Sequence, residues 1–247
     1  IDSTNIRAKL EAEQGAESGL LVVSDMQSAG RGRRGRGWES PAGTNIYYTL
    51  MLKPDFSSDC APMLTLVMAL AVAKGIRQTL RRDSEEAAAK VGIKWPNDIV
   101  VDGKKVCGIL TEMSMEQGYI QHIVIGVGIN VRKQEFPEEI RDRAAAIDEQ
   151  CGFRISRSQL IADIMEAFEE DYEIFLRTHD LKGLRASYAE LLVNQDREVC
   201  VLDPKGEYRG IARGINDQGE LLVERQDGTV EEVYAGEVSV RGIYGYV

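Results

Sequence analysis

Two spacings of apolar residues along this chain distinguish predicted strands from predicted helices. Short apolar runs predict strands at 20–26, 45–52, 91–95, 99–101, 106–113 and 119–131. Apolar residues three or four positions apart, or capping residues before them, predict helices at 3–14, 59–82, from 158 onward and at 181–192. The first strand is expected to be buried because its residues form a short apolar run.

Two local signals indicate how the strands meet. Asp102-Gly103 between β-branched runs predicts a hairpin, and Gly126 and Gly128 leave room on the last strand for a close neighbour. Hairpins among the strands, with helices between them, predict an α+β fold. In it a mixed, largely antiparallel sheet has helices packed on it, unlike a doubly wound parallel sheet.

The pattern changes after Asn194. From 198 to 241, short strands are separated by turn residues about every 8–12 positions, which predicts a small β-barrel. The chain is therefore divided into residues 1–193, which hold the large sheet, and residues 194–247, which hold the barrel.

The composition is that of an ordinary soluble globular protein, with 43% hydrophobic and 28% charged residues in a chain of 247. The net charge of -10 argues against a general nucleic-acid surface. No apolar run approaches the ~18 residues of a membrane span, and no signal peptide opens the chain. Four Cys far apart indicate reduced thiols in the cytoplasm, with no zinc site or disulfide frame.

One segment reverses this acidic balance. Residues 27–37, the Arg/Gly loop, contain four Arg and four Gly, with no acid between Asp25 and Glu39. Guanidinium groups fit carboxylate and phosphate oxygens, and Gly lets the backbone approach a ligand closely. The alternatives are a flexible linker, a nuclear-import-like run or an RNA-binding segment. Because the loop lies between two predicted strands, the sequence favours an anion-binding loop.

The second candidate is the run Lys94-Trp95-Pro96-Asn97-Asp98. A Lys at the end of a buried strand, just before a Pro, is poorly explained as a solvated charge, although it could extend to water above a core Trp. Together with the Arg/Gly loop, the run offers Arg, Lys and a carboxylate for one phosphorylated centre.

Other segments have ordinary structural explanations. Lys105 is favoured as a hairpin side chain that faces solvent, and helix capping accounts for residues 2–5. Residues 126–130 are too short for a dinucleotide fingerprint, and no Gly-x-x-x-x-Gly-Lys-Ser/Thr loop occurs. His122 and His179 have no partner pattern that would support a His-based mechanism.

Taken together, the motifs resemble those of bacterial biotin–protein ligases. Gly30 to Arg36 followed by Trp38 is similar to the family's biotin-binding loop, and Lys94 to Asp98 to its second signature. Four further segments match in order and spacing: Ser3-Thr4-Asn5, Gln27, Lys105 to Leu110 and Gly126 to Asn130. The resemblance covers essentially the whole chain. It implies the class II synthetase-like biotin/lipoate ligase fold, with a C-terminal SH3-like domain at 194–247.

The resemblance also implies residue roles. The implied biotin-binding residues are Ser3, Thr4, Asn5, Gln27, Gly30, Arg31, Gly32, Arg33, Lys94 and Gly108. The implied ATP- or adenylate-binding residues are Arg31, Arg33, Trp38, Asn97 and Asn130. The implied catalytic residues are Arg33, Lys94, Asp98 and Lys105. Of the loop arginines, Arg31 and Arg33 are expected to contact ligand, whereas Arg34 and Arg36 position the loop or face solvent. No metal ligands are assigned.

The implied reaction has two steps. Biotin and ATP, with Mg²⁺, give biotinyl-5′-adenylate and pyrophosphate. A Lys of a biotin carboxyl carrier protein, in the usual bacterial case that of acetyl-CoA carboxylase, then attacks the adenylate. The group that deprotonates this Lys stays open, with Asp98 or solvent as candidates.

Partners and alternatives follow from the same resemblance. A homodimer through sheet edges is possible, and this chain is expected to bind neither nucleic acid nor membrane. The alternatives are a lipoate–protein ligase, and a ligase that is also a biotin-responsive repressor. The DNA-binding domain of such a repressor would lie upstream of Ile1, where the sequence given begins without Met.

Overall fold

The computed structural model describes residues 1–203, 206–235, 239–242 and 246. Its helices are α1 (Thr4–Glu13), α2 (Leu64–Arg81), α3 (Glu85–Ala89), α4 (Ile147–Cys151), α5 (Arg157–Thr178) and α6 (Arg185–Leu191). Its strands are β1 (Leu20–Ser24), β2 (Ile46–Leu52), β3 (Val91–Lys94), β4 (Asp98–Val101), β5 (Lys104–Glu116), β6 (Tyr119–Ile129), β7 (Glu198–Asp203), β8 (Gly206–Ile215), β9 (Leu221–Glu224), β10 (Val230–Val233) and β11 (Ser239–Gly242). Short 3-10 helices span Arg33–Gly35 and Ser58–Met63.

The first six strands form one sheet in the order β1-β2-β6-β5-β4-β3, and each neighbouring pair is antiparallel. The predicted hairpin joins β4 to β5, with Asp102 at φ 50° and Gly103 at φ 73°. Both residues therefore occupy the positive-φ region that a tight hairpin turn requires. The α+β fold class is confirmed.

Helices cover both faces of this sheet. Helix α2 packs on one face and α5 packs on α2, whereas α1 crosses the other face against β1, β2 and β6. Side chains along β2 point alternately to the two faces, which shows why both faces are covered. Tyr48 and Leu50 join the core beneath α2, while Thr49 and Met51 face α1.

Helix α2 belongs to a long apolar stretch that the sequence analysis did not identify. The stretch Ser58–Arg81 is long and apolar enough to cross a membrane, with a mean hydropathy of 1.5. In the structure 72% of its most apolar window is buried inside the protein. The stretch is therefore explained as a core helix that is surrounded by protein on most sides.

Three local expectations differ from the structure. Strand β1 is an edge strand rather than a buried one, and Val23 on it is 51% exposed. Ser3 precedes α1 as its N-cap residue but makes no side-chain capping hydrogen bond. The helix expected from Leu181 begins at Arg185, after a turn in which the Leu184 N–H donates to the Leu181 carbonyl at 2.9 Å.

The last five strands form a separate antiparallel sheet in the order β10-β9-β8-β7-β11. The sequence Pro204-Lys205-Gly206, which predicts one of the turns of this region, falls largely outside the described residues. Contacts of Trp95 join residues around this sheet to the end of the larger one. The buried Trp95 indole donates to the Gly219 carbonyl at 3.0 Å, and the Trp95 N–H donates to Asn194 Oδ1 at 3.1 Å. The C-terminal sheet is thereby fixed beside the end of β3.

Candidate active site

A cavity of about 1320 Å³ lies on the α1 face of the large sheet, bounded by the Arg/Gly loop. It brings together segments that are far apart in sequence. The predicted site residues that line it are Ser3, Thr4, Asn5, Gln27, Gly30, Arg31, Gly32, Arg33, Trp38, Asn97, Asp98, Lys105, Gly108 and Asn130. Lys94 is the one predicted site residue that does not line it, although every predicted site residue lies in the described part of the chain.

Glycines form the floor of the cavity, as expected of Gly126 and Gly128. A Cβ at Gly126 would lie 2.0 Å from Asn5 Oδ1, and one at Gly128 would lie 2.5 Å from the Trp38 indole. Gly108, which pairs with Gly128 across the sheet, meets the same indole. Only residues without a side chain allow Asn5 and Trp38 to lie directly on the strands.

A chain of neutral polar groups forms one wall. Gln27 Oε1 accepts from the Thr4 N–H at 2.8 Å and from the Thr4 hydroxyl at 3.0 Å. Gln27 Nε2 donates to Ser40 Oγ at 3.0 Å, and Thr49 Oγ1 lies 2.9 Å from Thr4 Oγ1. Since each side chain is held by a neighbour, this wall has a fixed set of donors and acceptors.

Asn5 continues this wall and ends on a carboxylate. Its Oδ1 accepts from the Thr49 hydroxyl at 2.6 Å, and its Nδ2 donates to Glu112 Oε2 at 2.8 Å. Glu112 Oε1 also accepts from Lys9 at 2.9 Å and lies 3.4 Å from the Arg31 guanidinium. Glu112 therefore connects α1, β5 and the Arg/Gly loop.

The Arg/Gly loop is folded back on itself. Gly32 N–H donates to the Arg36 carbonyl at 2.7 Å, and Trp38 N–H donates to the Gly30 carbonyl at 2.9 Å. At Gly30 a Cβ would lie 2.2 Å from the Trp38 carbonyl oxygen, so this turn admits no side chain. Arg34, at its tip, has φ 59°.

Arg33 joins the loop to two other parts of the protein. Its Nη1 donates to Asn97 Oδ1 at 2.7 Å, and its Nη2 donates to the Ala235 carbonyl at 2.5 Å. Burial lowers the pKa of the guanidinium, and the nearby Asp98 carboxylate opposes that shift. Because an arginine pKa lies far above neutrality, Arg33 keeps its charge. This contact brings the two sequence motifs together.

Beside Arg33, charged groups from three segments surround Asp98. Lys105 Nζ forms an ion pair with Asp98 Oδ1 at 2.5 Å, and the Tyr246 phenol donates to Asp98 Oδ2. Burial raises the pKa of Asp98, but Lys105, the Tyr246 hydrogen bond and the charge of Lys94 together outweigh it and hold the pKa below its usual range. Asp98 is therefore a carboxylate at neutral pH.

Two lysine expectations change on this evidence. Lys105 does not face solvent as a hairpin side chain, since its ammonium is paired with Asp98 inside the cavity. Lys94 is buried, with 5% of its surface exposed, so it does not extend to water. Its Nζ lies 3.6 Å from the centre of the Tyr246 ring, and Tyr246 lines the cavity in its place.

The part of the cavity around Trp38, the aromatic end, is partly apolar and lies beside Lys105, whose Nζ is 5.5 Å from the centre of the Trp38 ring. Trp38 lines it, and the residues of the following loop that line it include Phe136, Pro137 and Ile140. The indole N–H of Trp38 is buried and makes no hydrogen bond to the described residues. Asn130 lies at this end with 6% of its surface exposed. A flat ring that offers an acceptor would fit between these groups.

The described residues hold no group of three or more His, Cys, Asp or Glu that could bind a metal ion. His122 lies outside the cavity lining, and neither of its ring nitrogens has a partner among the described residues.

Sequence reasoning missed several residues of the site. Thr49, Glu112 and Ser40 lie in or behind its polar wall, and Tyr246 lies at its charged end. Glu112 had a usable signal, because strand alternation puts it on the same face of β5 as Gly108. Tyr246 had none, since 148 residues separate it from Asp98.

Comparison with known proteins agrees with this architecture. Residues 1–130 match the model of the biotin/lipoate A/B protein ligase family, and residues 196–241 match the biotin protein ligase C-terminal domain. The bifunctional ligase/repressor BirA of Bacillus spizizenii is 37% identical over 244 residues, which cover 97% of this chain and 72% of that protein. A biotin--[acetyl-CoA-carboxylase] ligase of Paracoccus denitrificans is 30% identical over 242 residues, covering 95% of this chain and 98% of that protein.

A solved structure shows the same fold. The biotin protein ligase of Aquifex aeolicus in complex with biotin and ATP aligns with a TM-score of 0.81 and 29% identity, covering 98% of this chain and 95% of that one. Since one family model matches more than half of the chain and relatives above 30% identity match nearly all of it, the chain belongs to the biotin/lipoate A/B protein ligase family.

Proposed function

We propose that this biotin protein ligase adenylates biotin with ATP in the cavity described above, and then passes the biotinyl group to a lysine of a carboxyl carrier protein. One observation carries the assignment of the reaction to this cavity. The Arg/Gly loop and the Lys94–Asp98 run meet there, where Arg33 Nη1 donates to Asn97 Oδ1 at 2.7 Å. Cations, a carboxylate and a neutral polar wall thus share one space.

The neutral wall supports binding of the ureido ring of biotin. A ureido group has N–H donors and a carbonyl acceptor, so it needs a rigid wall that offers both. Ser3, Thr4, Asn5 and Gln27 provide such groups, and those of Thr4, Asn5 and Gln27 are already ordered by one another and by Thr49. Gly30, Gly32 and Gly108 leave the backbone open to close approach.

The charged end supports adenylation. A carboxylate must approach the α-phosphate of a triphosphate, and both are anions, so cations must offset their repulsion. Arg31, Arg33 and Lys105 line the cavity where this would happen, and Lys94 lies behind Tyr246. Mg²⁺ enters with the triphosphate as part of the substrate. The Arg/Gly loop would close over the mixed anhydride and exclude water.

The aromatic end supports the adenine. Trp38 offers an unpaired indole N–H, and Asn130 lies in the same part of the cavity. Asn97 differs, because both ends of its amide are used within the protein, by Arg33 and by the Ile109 carbonyl. We therefore assign Asn97 to holding Arg33 in place for the nucleotide.

In the second step the acceptor lysine must be neutral. Asp98 is a weak base for this task, since its pKa is held below its usual range by the charges around it. We infer that Asp98 instead fixes Lys105 beside the reacting carboxyl, and that the acceptor amine loses its proton to solvent.

The family acts on carboxyl carrier proteins of carboxylases. For this chain we propose the carrier of acetyl-CoA carboxylase as the acceptor, in the cytoplasm, as for the ligase of Paracoccus denitrificans that bears that substrate in its name. A homodimer could form through β1, an edge strand. We also propose that residues 1–193 form the catalytic part and residues 194–247 the C-terminal part.

The test is labelling of a purified biotin carboxyl carrier domain. We expect incubation with biotin and Mg-ATP to add one biotinyl group per domain by mass spectrometry, and to release pyrophosphate. Lipoate in place of biotin serves as the control for the related ligases of this family. Faster turnover with lipoate than with biotin would overturn the assignment.

A further inference from the structure

Glu112 lies one step behind the proposed biotin site and touches both sides of it. Its carboxylate does not line the cavity, yet it receives Asn5 and Lys9 from α1 and Arg31 from the Arg/Gly loop. These three groups come from two segments, α1 and the Arg/Gly loop. The side chain is largely buried, with 20% of its surface exposed.

The contact with Asn5 fixes the direction of an amide. Because Nδ2 donates to Glu112 and Oδ1 accepts from Thr49, a reversed amide would put its oxygen against the carboxylate. The glycine floor adds a second constraint, since Asn5 lies directly on Gly126, where a Cβ would be 2.0 Å from its Oδ1. Asn5 therefore presents one fixed face to the cavity.

The contact with Arg31 is of a different kind. The guanidinium lies 3.4 Å from Glu112 Oε1, and the Arg31 side chain is 47% exposed. The carboxylate therefore attracts the guanidinium, which stays accessible to solvent. Lys9 shares the same oxygen at 2.9 Å, which leaves two cations facing one anion. One positive charge is therefore left over beside the cavity, where it would attract an incoming carboxylate.

We propose that Glu112 is a positioning residue for biotin, which orients the Asn5 amide and holds Arg31 at the cavity before the ligand arrives. The inference rests on the proposed function, in which Asn5 and Arg31 contact biotin. Glu112 itself touches no substrate and acts through these two residues. Its removal should therefore weaken the binding of biotin more than the binding of ATP, because Asn5 contacts biotin alone whereas Arg31 serves both substrates.

The experiment compares Glu112→Gln and Glu112→Ala with the wild-type protein in biotin-dependent ATP–pyrophosphate exchange. We expect KM for biotin to rise about tenfold in the alanine variant, as for loss of a hydrogen-bonded charge. The glutamine variant keeps an acceptor for Asn5, so its KM for biotin should rise less. KM for ATP and kcat should change by a smaller factor than KM for biotin in both variants.

Glu116→Gln is the matched control, because it removes the same charge from the exposed end of the same strand. Equal rises of the two KM values, or no rise for biotin in either Glu112 variant, would overturn the inference. If thermal melting shows that Glu112→Ala does not fold, the glutamine variant alone tests the inference.

A second measurement separates positioning from general support of the fold. In an Asn5→Ala background, Glu112→Ala should raise KM for biotin by less than it does alone, because part of the action of Glu112 passes through Asn5. An undiminished effect would contradict that route. The wild-type protein decides the proposed function separately: if it catalyses no biotin-dependent exchange, the function fails, whatever the Glu112 variants do.

Discussion

The ammonium nitrogen of Lys94 lies 3.6 Å from the centre of the Tyr246 ring, and the phenol of that ring donates to Asp98. A cation over an aromatic face in a buried position is held by the ring's electron density. The ring therefore separates Lys94 from the cavity, and its hydroxyl occupies one oxygen of Asp98. An anion could reach Lys94 once this side chain has moved.

Replacing Tyr246 by Ala should consequently strengthen the binding of ATP. We expect KM for ATP to fall a few-fold, because Lys94 becomes accessible and one competing contact is lost. Exchange kinetics measure this directly. Tyr234→Ala, at an exposed aromatic side chain after β10, is the control and should leave KM unchanged. A rise of KM for ATP in the Tyr246 variant would mean that the ring instead holds Lys94 in its working position.

Replacing Lys94 by Ala should remove most adenylate formation. The phosphate and the carboxylate would then meet with one cation fewer, which costs roughly 10²–10³-fold in rate. The measurement is biotin-dependent pyrophosphate exchange, with thermal melting to show that the protein still folds. Lys90→Ala, at an exposed lysine that pairs with Glu86 on α3, provides the control. Normal exchange by the Lys94 variant would contradict the role of this lysine.

Replacing Arg33 by Ala should loosen the Arg/Gly loop. The variant loses the hydrogen bonds to Asn97 and to the Ala235 carbonyl, which join the loop to β4 and to the C-terminal sheet. We expect faster amide hydrogen exchange at residues 30–37 without ligand, and a smaller gain of protection when biotin and ATP are added. Unchanged exchange in both states would show that the loop is held by its own backbone contacts alone.

The sequence predicted the floor and the loop of the site because both depend on local residue types. Glycines at alternate positions of a strand leave space on one face, and Asn5 and Trp38 fill that space. The clustered arginines and glycines likewise predict an anion-binding loop, although its folding back on itself is seen only in the structure.

The residue pattern alone misplaced Lys105, which the family resemblance put among the catalytic residues, because its direction depends on a bulge. Simple alternation would put Lys105 on the same face of β5 as Cys107, which lies in the core under α2. The register between β4 and β5 shifts next to Val100, where Lys105 becomes its partner, and Lys105 turns to the face of Gly108. A pattern of apolar positions does not reveal such a shift, nor contacts such as that of Tyr246 that depend on the C-terminal sheet.

The stability of the protein should depend on pH through His122. Burial lowers the pKa of this imidazole, and the neighbouring Lys9 and Lys53 lower it further against the opposing charge of Glu13. Below about pH 6.5 the unfolded chain therefore binds a proton that the folded chain does not bind. Stability is full above that pH and falls as the pH drops towards the folded pKa.

Denaturant unfolding between about pH 7 and pH 5 measures this effect. His122→Leu should flatten the dependence, because the variant has no group there to protonate. His179→Asn at the C-terminal end of α5 is the control, since Asn also tolerates the φ of 57° found there. An equally steep fall in the His122 variant would assign the dependence to other groups.

A methyl group on the floor of the cavity should disturb the nucleotide end selectively. In Gly128→Ala the new Cβ would lie 2.5 Å from the Trp38 indole, so the ring must move away from the strand. We expect KM for ATP to rise and the tryptophan emission to shift towards the red, since Trp95, the other of the two tryptophans, stays buried. Ile125→Val, on the opposite face of β6, is the control: it should cost about 1 kcal/mol of stability without either change. Unaltered emission and KM in the Gly128 variant would mean that Trp38 does not bound the adenine site.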